Sequence, residues 1–382
     1  MASVASAAPK PAHLNTLDGL RGIAAVSVMA FHWHIEAGSS LFQHSRLAVD
    51  LFFLMSGFVL AYAYDARLKA GLSFWAFFIA RLIRLYPMIL IGIGFGAGWF
   101  ALDWLITGEQ TFSAPQFVTY LFMNLFMIPV VTWDQDMAMF PLNLVLWSLF
   151  FELVAYAAYG LVFARAKTRW LVPVIVVGAI GVTGWVVFNF GAAPTPPAGL
   201  GFLKQGFVAD LSRISLSFFL GVMIFRGLPR LNAVPPIPAV FLPLICLLIF
   251  VQPAGILPWW ACLFIVLIVF PYMLSSAIRE NITGRYGAIS KFLGDISYPL
   301  YVTHLPIMWA MRAVLHKLFP NLPIVWLGII VLPGCVLVAY LMLRFYDQPV
   351  RHYLRHKFLS SGLMVRDKHN RLQKSQVGFD GN

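Results

Sequence analysis

The chain alternates long apolar runs with short polar breaks along its whole length. Apolar runs of about 20 residues are long enough to cross a hydrocarbon core as α-helices. The pattern predicts helices at 17–36, 47–64, 85–105, 143–163, 170–190, 207–225, 236–252, 257–275, 296–316 and 322–346. The expected fold class is an all-α polytopic membrane protein, with about ten transmembrane helices around an internal cavity. Residues 1–16 read as a flexible cytoplasmic tail with no cleavable signal, 17–346 as the transmembrane domain, and 347–382 as a basic cytoplasmic tail.

Segment 117–131 is apolar but short for a span. The positive-inside rule decides its place. If it does not cross, the loops bearing Arg67 and Lys69, Arg165 to Arg169, Arg226 and Arg230, and Arg279 to Lys291 all fall on one side with Lys10 and the stretch from Arg344. The acidic pair Asp134 and Asp136 then falls on the other side. Residues 106–142 are therefore expected as one outer loop, with 117–131 interfacial or re-entrant. Both termini are expected in the cytoplasm.

Composition narrows the class. Hydrophobic residues make up 60% of the chain and charged residues 11%, well below the charge content of soluble domains. The formal net charge of +12 would suit nucleic acid, but its placement in alternate loops suits an anionic leaflet instead, so no nucleic-acid partner is expected. Cys246, Cys262 and Cys335 lie in apolar runs with no metal-ligand spacing. No metal is expected, and the three thiols read as small packing residues.

Several predicted helices carry groups that lipid does not tolerate. In "LDGLRGIAAVSVMAFHWH" Arg21 and His32 have R-x10-H spacing, which returns to nearly the same helix face about 16 Å further along. Asp18 and Glu36 share that stripe. The plain reading is snorkelling to the two interfaces. The functional one sets a cation near one surface and a titratable base toward the other.

Asp50 in "LAVDLFFLMSGF" is expected at a depth similar to His32, where a carboxylate could orient the imidazole; it equally suits a helix start. Ser56-Gly57 reads as a close-packing pair. Arg81 and Arg84 in "RLIRLYP" share one helical edge at the cytoplasmic face, suiting phosphate oxygens or simple anchoring. Ser148, Glu152 and Tyr156 in "WSLFFELVAY" line one face, and a carboxyl at that depth needs a partner. Ser297, Tyr301 and His304 in "SYPLYVTH" form a stripe turned to a bundle interior, between Pro299 and Pro306, which should distort the helix.

Taken in order, "LDGLRG…FH", "VDLFFLMSGF", "RLIRLYP", "WSLFFE" and "SYPLYVTH" resemble the membrane acyltransferase 3 family. "YDQPVR" is similar to the family's end, with Gln348 splitting Asp347 from the proline, and Ala48 stands where glycine is frequent. The resemblance implies transfer of an acyl group, often acetyl, from cytoplasmic acyl-CoA to a hydroxyl of a sugar or glycan outside. Acyl-CoA is a substrate here, and no resident cofactor is expected. Membrane lipids are the remaining partner.

The resemblance carries the family's site residues onto Arg21, His32, Arg81, Arg84 and Glu152, and the helix pattern adds Asp50 and the cavity-lining residues. His32 would act as general base or brief acyl carrier, with Asp50 or Glu152 orienting or compensating it. Arg21, Arg81 and Arg84 would bind the donor, and Ser148, Tyr156, Ser297, Tyr301 and His304 would line the cavity. A transporter or proton-coupled permease would also need buried His and Glu. That reading predicts inverted repeats, and none is visible. Acyl identity, acceptor identity and O- against N-transfer stay open at this stage.

Overall fold

The computed structural model describes residues 14–130, 138–190, 206–231 and 234–363. The regular elements among them are helices: α1 (Asn15–Glu36), α2 (Leu47–Lys69), α3 (Phe74–Thr107), α4 (Ala114–Leu125), α5 (Leu146–Ala158), α6 (Leu171–Phe190) and α7 (Phe207–Leu231), followed by α8 (Phe241–Phe250), α9 (Trp259–Phe264), α10 (Phe270–Arg279), α11 (Gly284–Leu318), α12 (Ile324–Met342) and α13 (Gln348–Arg355). A π-helical turn, Ile265–Val269, joins α9 and α10 into one rod, and another, Leu343–Asp347, joins α12 to α13. Among the described residues seven helices are long and apolar enough to cross a membrane. The molecule is a polytopic membrane protein.

Helices α1 and α11, with 22 and 35 residues, are also long enough to cross. Their histidines and charged residues lower their mean hydropathy, so they fall outside that set of seven. They pack along each other through small residues. A Cβ on Gly22 would meet Leu293 Cβ at 2.4 Å, and one on Gly294 would meet Asp18 Cβ at 2.4 Å. Close backbone approach is how membrane helices gain packing energy, because lipid offers no hydrophobic contrast. The start of α1 is also tied to the link between α10 and α11: Thr16 Oγ1 donates to Glu280 O at 2.6 Å and Asn15 Nδ2 to Ile282 O at 2.9 Å. Helices α2 and α7 use the same device, with a Cβ on Gly57 lying 1.9 Å from Phe218 O and one on Gly221 lying 2.0 Å from Leu54 O.

Three expectations need correction. The segment at 236–252 is only the ten-residue α8, too short to cross a bilayer. Helix α3 begins at Phe74, not near 85, with Ser73 capping the Ala76 amide. Pro87 therefore sits inside it rather than at its start, as membrane helices tolerate. Helix α11 likewise runs unbroken through Pro299 and Pro306. The 12-residue α4, opened by a capping box at Ser113, covers much of 117–131 and is too short to span. Beyond 347 the chain stays helical to Leu363. Lys10, Asp134, Asp136 and the tail after 363 lie outside the described residues.

The two ends of the bundle differ in chemistry. At one end the starts of α1, α3 and α11 meet the ends of α2, α5 and α7. Asp65 there binds Arg226 at 2.5 Å and Lys69 at 2.6 Å, and Tyr159 donates to it at 2.9 Å. At the other end Glu36 pairs with Arg312 at 2.5 Å and accepts from Trp309 at 3.1 Å.

Candidate active site

Two cavities lie one beyond the other along the bundle. The first, of about 830 Å³, opens near the Asp65 end. Its lining includes Arg21 from α1, Ser56 from α2, Arg81 and Arg84 from α3, Ser148, Glu152 and Tyr156 from α5, and Ser297, Tyr298 and Tyr301 from α11. Eight of the eleven site residues expected from the sequence therefore meet in one space. They come from four helices spread over most of the chain.

Arg21, Arg81 and Glu152 each find a partner there, although Arg81 Nε is buried without one. Arg21 reaches α11: its Nε donates to Ser297 Oγ at 2.9 Å and its Nη2 to Gly294 O at 2.7 Å, while Asp18 pairs with it at 2.9 Å. It does not turn into lipid. Arg81 donates to Tyr64 Oη at 2.8 Å, with its guanidinium 4.6 Å from that ring's centre. A planar guanidinium held against an aromatic ring is preset for phosphate oxygens. Glu152 Oε1 accepts from Ser56 Oγ at 2.5 Å and also from Tyr156 Oη. The carboxyl group is thus compensated by two hydroxyls. Gly57 does the close packing expected of the Ser56-Gly57 pair, and Ser56 serves the cavity instead.

The second cavity, of about 960 Å³, is lined by Val28, His32, Glu36, Arg46, Trp147, Arg213, Tyr301, Leu305 and Trp309, among others. His32 is half-buried in its wall. His304, fully buried on α11, places its Nε2 3.0 Å from His32 Nδ1. The tautomers follow from what surrounds the pair. His304 Nδ1 lies 3.0 Å from Leu300 O and 2.9 Å from Tyr301 O. Carbonyl oxygens only accept, so Nδ1 carries the hydrogen and Nε2 of the neutral ring must accept. His32 Nδ1 is then the donor, toward His304 and toward Val28 O at 3.0 Å. This assignment leaves the basic lone pair of His32 on Nε2.

Asp50 does not take the orienting role the sequence suggested for it. Its carboxylate binds Arg213 Nη2 at 2.8 Å and Nε at 3.3 Å, and Ser217 donates to it at 3.3 Å. Glu152 belongs to the first cavity and likewise makes no hydrogen bond to His32. His304 holds the position meant for a carboxylate.

Sequence reading also missed Arg213, Tyr64, Ser56 and Tyr298. An arginine inside an apolar helix, as in "DLSRISLSFF", is a warning in itself, but its partner on another helix is not visible in a linear pattern. A third cavity of about 810 Å³, with Arg46, Asp50 and Arg213 on its inner wall and Val182, Val186 and Leu263 outside them, adjoins the second through the two arginines. Among the described residues no cluster of His, Cys, Asp or Glu could hold a metal.

A sequence profile described as an acyltransferase domain matches residues 14–344. The chain belongs to the acyltransferase 3 family. The match covers both cavities and speaks for an enzyme rather than a permease. Two curated relatives are similar over part of their length. "Protein 2 in picA locus" of Rhizobium radiobacter is 35% identical over 185 residues, which is 44% of this chain and 93% of that protein. The peptidoglycan O-acetyltransferase OatA of Listeria monocytogenes serovar 1/2a is 25% identical over 367 residues, 89% of this chain and 56% of OatA. The chain thus spans little more than half the length of this second relative. No solved structure matches.

Proposed function

We propose that this acyltransferase moves an acyl group, most simply acetyl, from cytoplasmic acyl-CoA to a hydroxyl of a cell-envelope glycan on the far side of the membrane. The observation that carries this reading is the order of the two cavities: three arginines line the first, and a tautomer-fixed imidazole lines the next. Arg81 and Arg84 take the phosphates of the donor, and Arg21 holds its polar arm where it enters the bundle. The Asp65 end faces the cytoplasm, in line with the basic loops gathered there. Ser148, Tyr156, Ser297 and Tyr301 shape the path of the pantetheine arm.

His32 Nε2 takes the proton of the acceptor hydroxyl as its oxygen attacks the thioester carbonyl carbon. The new C–O bond forms and the C–S bond breaks. The proton then passes to the departing sulfur, which leaves as the thiol of coenzyme A. Glu152, bonded to Ser56 and Tyr156, stays on the donor side as a polar fixture. The acceptor being a glycan has support from OatA, whose name gives peptidoglycan as its substrate.

The test uses purified protein in phospholipid nanodiscs, radiolabelled acetyl-CoA and cell-envelope fractions. Thiol release with label appearing in a glycan fraction is the expected result. Label retained in coenzyme A under all conditions would overturn the reading.

A further inference from the structure

The donor cavity and the His32 cavity have two lining residues in common, Val49 of α2 and Tyr301 of α11. Both are nearly buried, at 7% and 6% exposure, and they stand between the two spaces. Neither is free to swing aside. Tyr301 Oη lies 2.7 Å from Ser148 Oγ, which is itself 3.0 Å from Val145 O, and Phe52 packs edge-on at 5.5 Å from its ring centre. Val49 is β-branched on a helix, which leaves it essentially one rotamer. The partition is therefore a rigid pair of side chains, not a loop.

This partition matters only if the donor docks at the arginines, so the inference rests on the acyltransferase reading. The nucleotide and sulfur then remain on the Arg81 side, and the carbonyl carbon must come within reach of His32 Nε2. The hydrocarbon end of the acyl group leads, because it lies beyond the carbonyl as seen from sulfur. It has to pass Val49 and Tyr301 first. An acetyl group presents a methyl there; each further carbon adds a methylene to be fitted between an isopropyl group and a phenol ring.

We propose that Val49 and Tyr301 form the acyl-length selector of this enzyme, admitting acetyl and rejecting longer chains. The selection is steric and adds no bond change to the transfer. One misfitting methylene in an apolar site is worth about ten- to two-hundredfold in kcat/KM. The discrimination falls on kcat, since the nucleotide contacts that set donor affinity are remote from the partition and common to all the thioesters.

The experiment compares acetyl-, propionyl-, butyryl- and hexanoyl-CoA with the full-length protein in nanodiscs, following thiol release and label transfer to envelope fractions. Wild type should lose about tenfold or more in kcat/KM per added methylene at a nearly constant donor KM. Val49→Ala should raise the butyryl-to-acetyl ratio about tenfold, and Val49→Phe should lower the propionyl-to-acetyl ratio. Val59→Ala, in the donor cavity but away from the partition, should leave these ratios where they are. Opposite shifts in the two Val49 variants cannot come from general loosening of the fold. Ratios unmoved in both, or moved equally by Val59→Ala, would overturn the selector while leaving the acyltransferase reading standing. Wild-type protein that releases thiol from none of the four thioesters would overturn that reading, and the selector with it.

Discussion

The imidazoles of His32 and His304 meet at 3.0 Å across 272 residues of sequence. The ring that accepts is itself pinned by two carbonyls of its own helix, so the direction of the hydrogen bond is not a matter of choice. His32→Ala should cost about a hundred- to ten-thousandfold in acyl transfer, the usual worth of a placed base, with the protein still inserted. His304→Ala should cost less, about a hundredfold, through kcat and not donor KM, because His32 would keep its ring but lose one of the two acceptors that fix its tautomer and orientation. His304→Gln, whose side-chain carbonyl can still accept, should recover part of that loss. Steady-state kinetics on the three variants check the order. Equal rates for His304→Ala and wild type would show that Val28 O alone suffices.

Arg84→Ala should raise the donor KM about tenfold, the scale of one charge-assisted phosphate contact. The salt dependence of donor binding should flatten in parallel. Arg81→Ala should do the same and also release Tyr64, its hydrogen-bond partner at 2.8 Å. Titration of coenzyme A at two salt concentrations measures both effects.

Asp50 and Arg213 form a buried pair, with side-chain exposures of 5% and 8%. Arg213 also reaches the buried Asp210 Oδ1 at 3.5 Å, so Asp50→Asn leaves its guanidinium with a single, more distant carboxylate and should destabilise the fold by about 1–3 kcal/mol. Adding Arg213→Gln and Asp210→Asn removes all three buried charges together and should return much of that stability. Thermal unfolding in detergent measures the cycle. A catalytic loss that persists in the triply substituted but stable protein would put Asp50 back into the chemistry.

Ser56 and Gly57 are neighbours with opposite duties. Gly57→Val should prevent α2 from seating on α7, since even a Cβ would lie 1.9 Å from the Phe218 carbonyl oxygen; a loss above about 3 kcal/mol, or no folded protein, is expected. Ser56→Ala should leave folding nearly intact and remove one of the two hydroxyls that hold Glu152. Yield after detergent extraction, set against activity per folded molecule, separates the two.

Much of this was legible in the linear pattern. The R-x10-H spacing of α1 and the Ser148–Glu152–Tyr156 stripe of α5 are periodicities within one helix, and such periodicities survive folding. Cross-helix partners are not written that way. Nothing in "LAVDLFF" points to an arginine on α7, so Asp50 looked available to His32 when it was already engaged. Helix limits failed at α3, which was expected to start at 85. Ser73 supplies the cap twelve residues before that start, and the helix continues through Pro87. In α8 the hydrophobicity was real but the helix itself proved too brief to cross.

The union of α1 with α11 also dictates an order of assembly. Ribosomes deliver His32 and Arg21 to the bilayer first, whereas Gly294, Ser297 and His304 emerge only after more than two hundred intervening residues. Throughout that interval the leading segment holds an arginine and an imidazole with only Asp18 and the Val28 carbonyl of their own helix to satisfy them. A chain halted before α11 would therefore be a natural target for membrane quality control, because its most polar span would still lack the helix that shelters it.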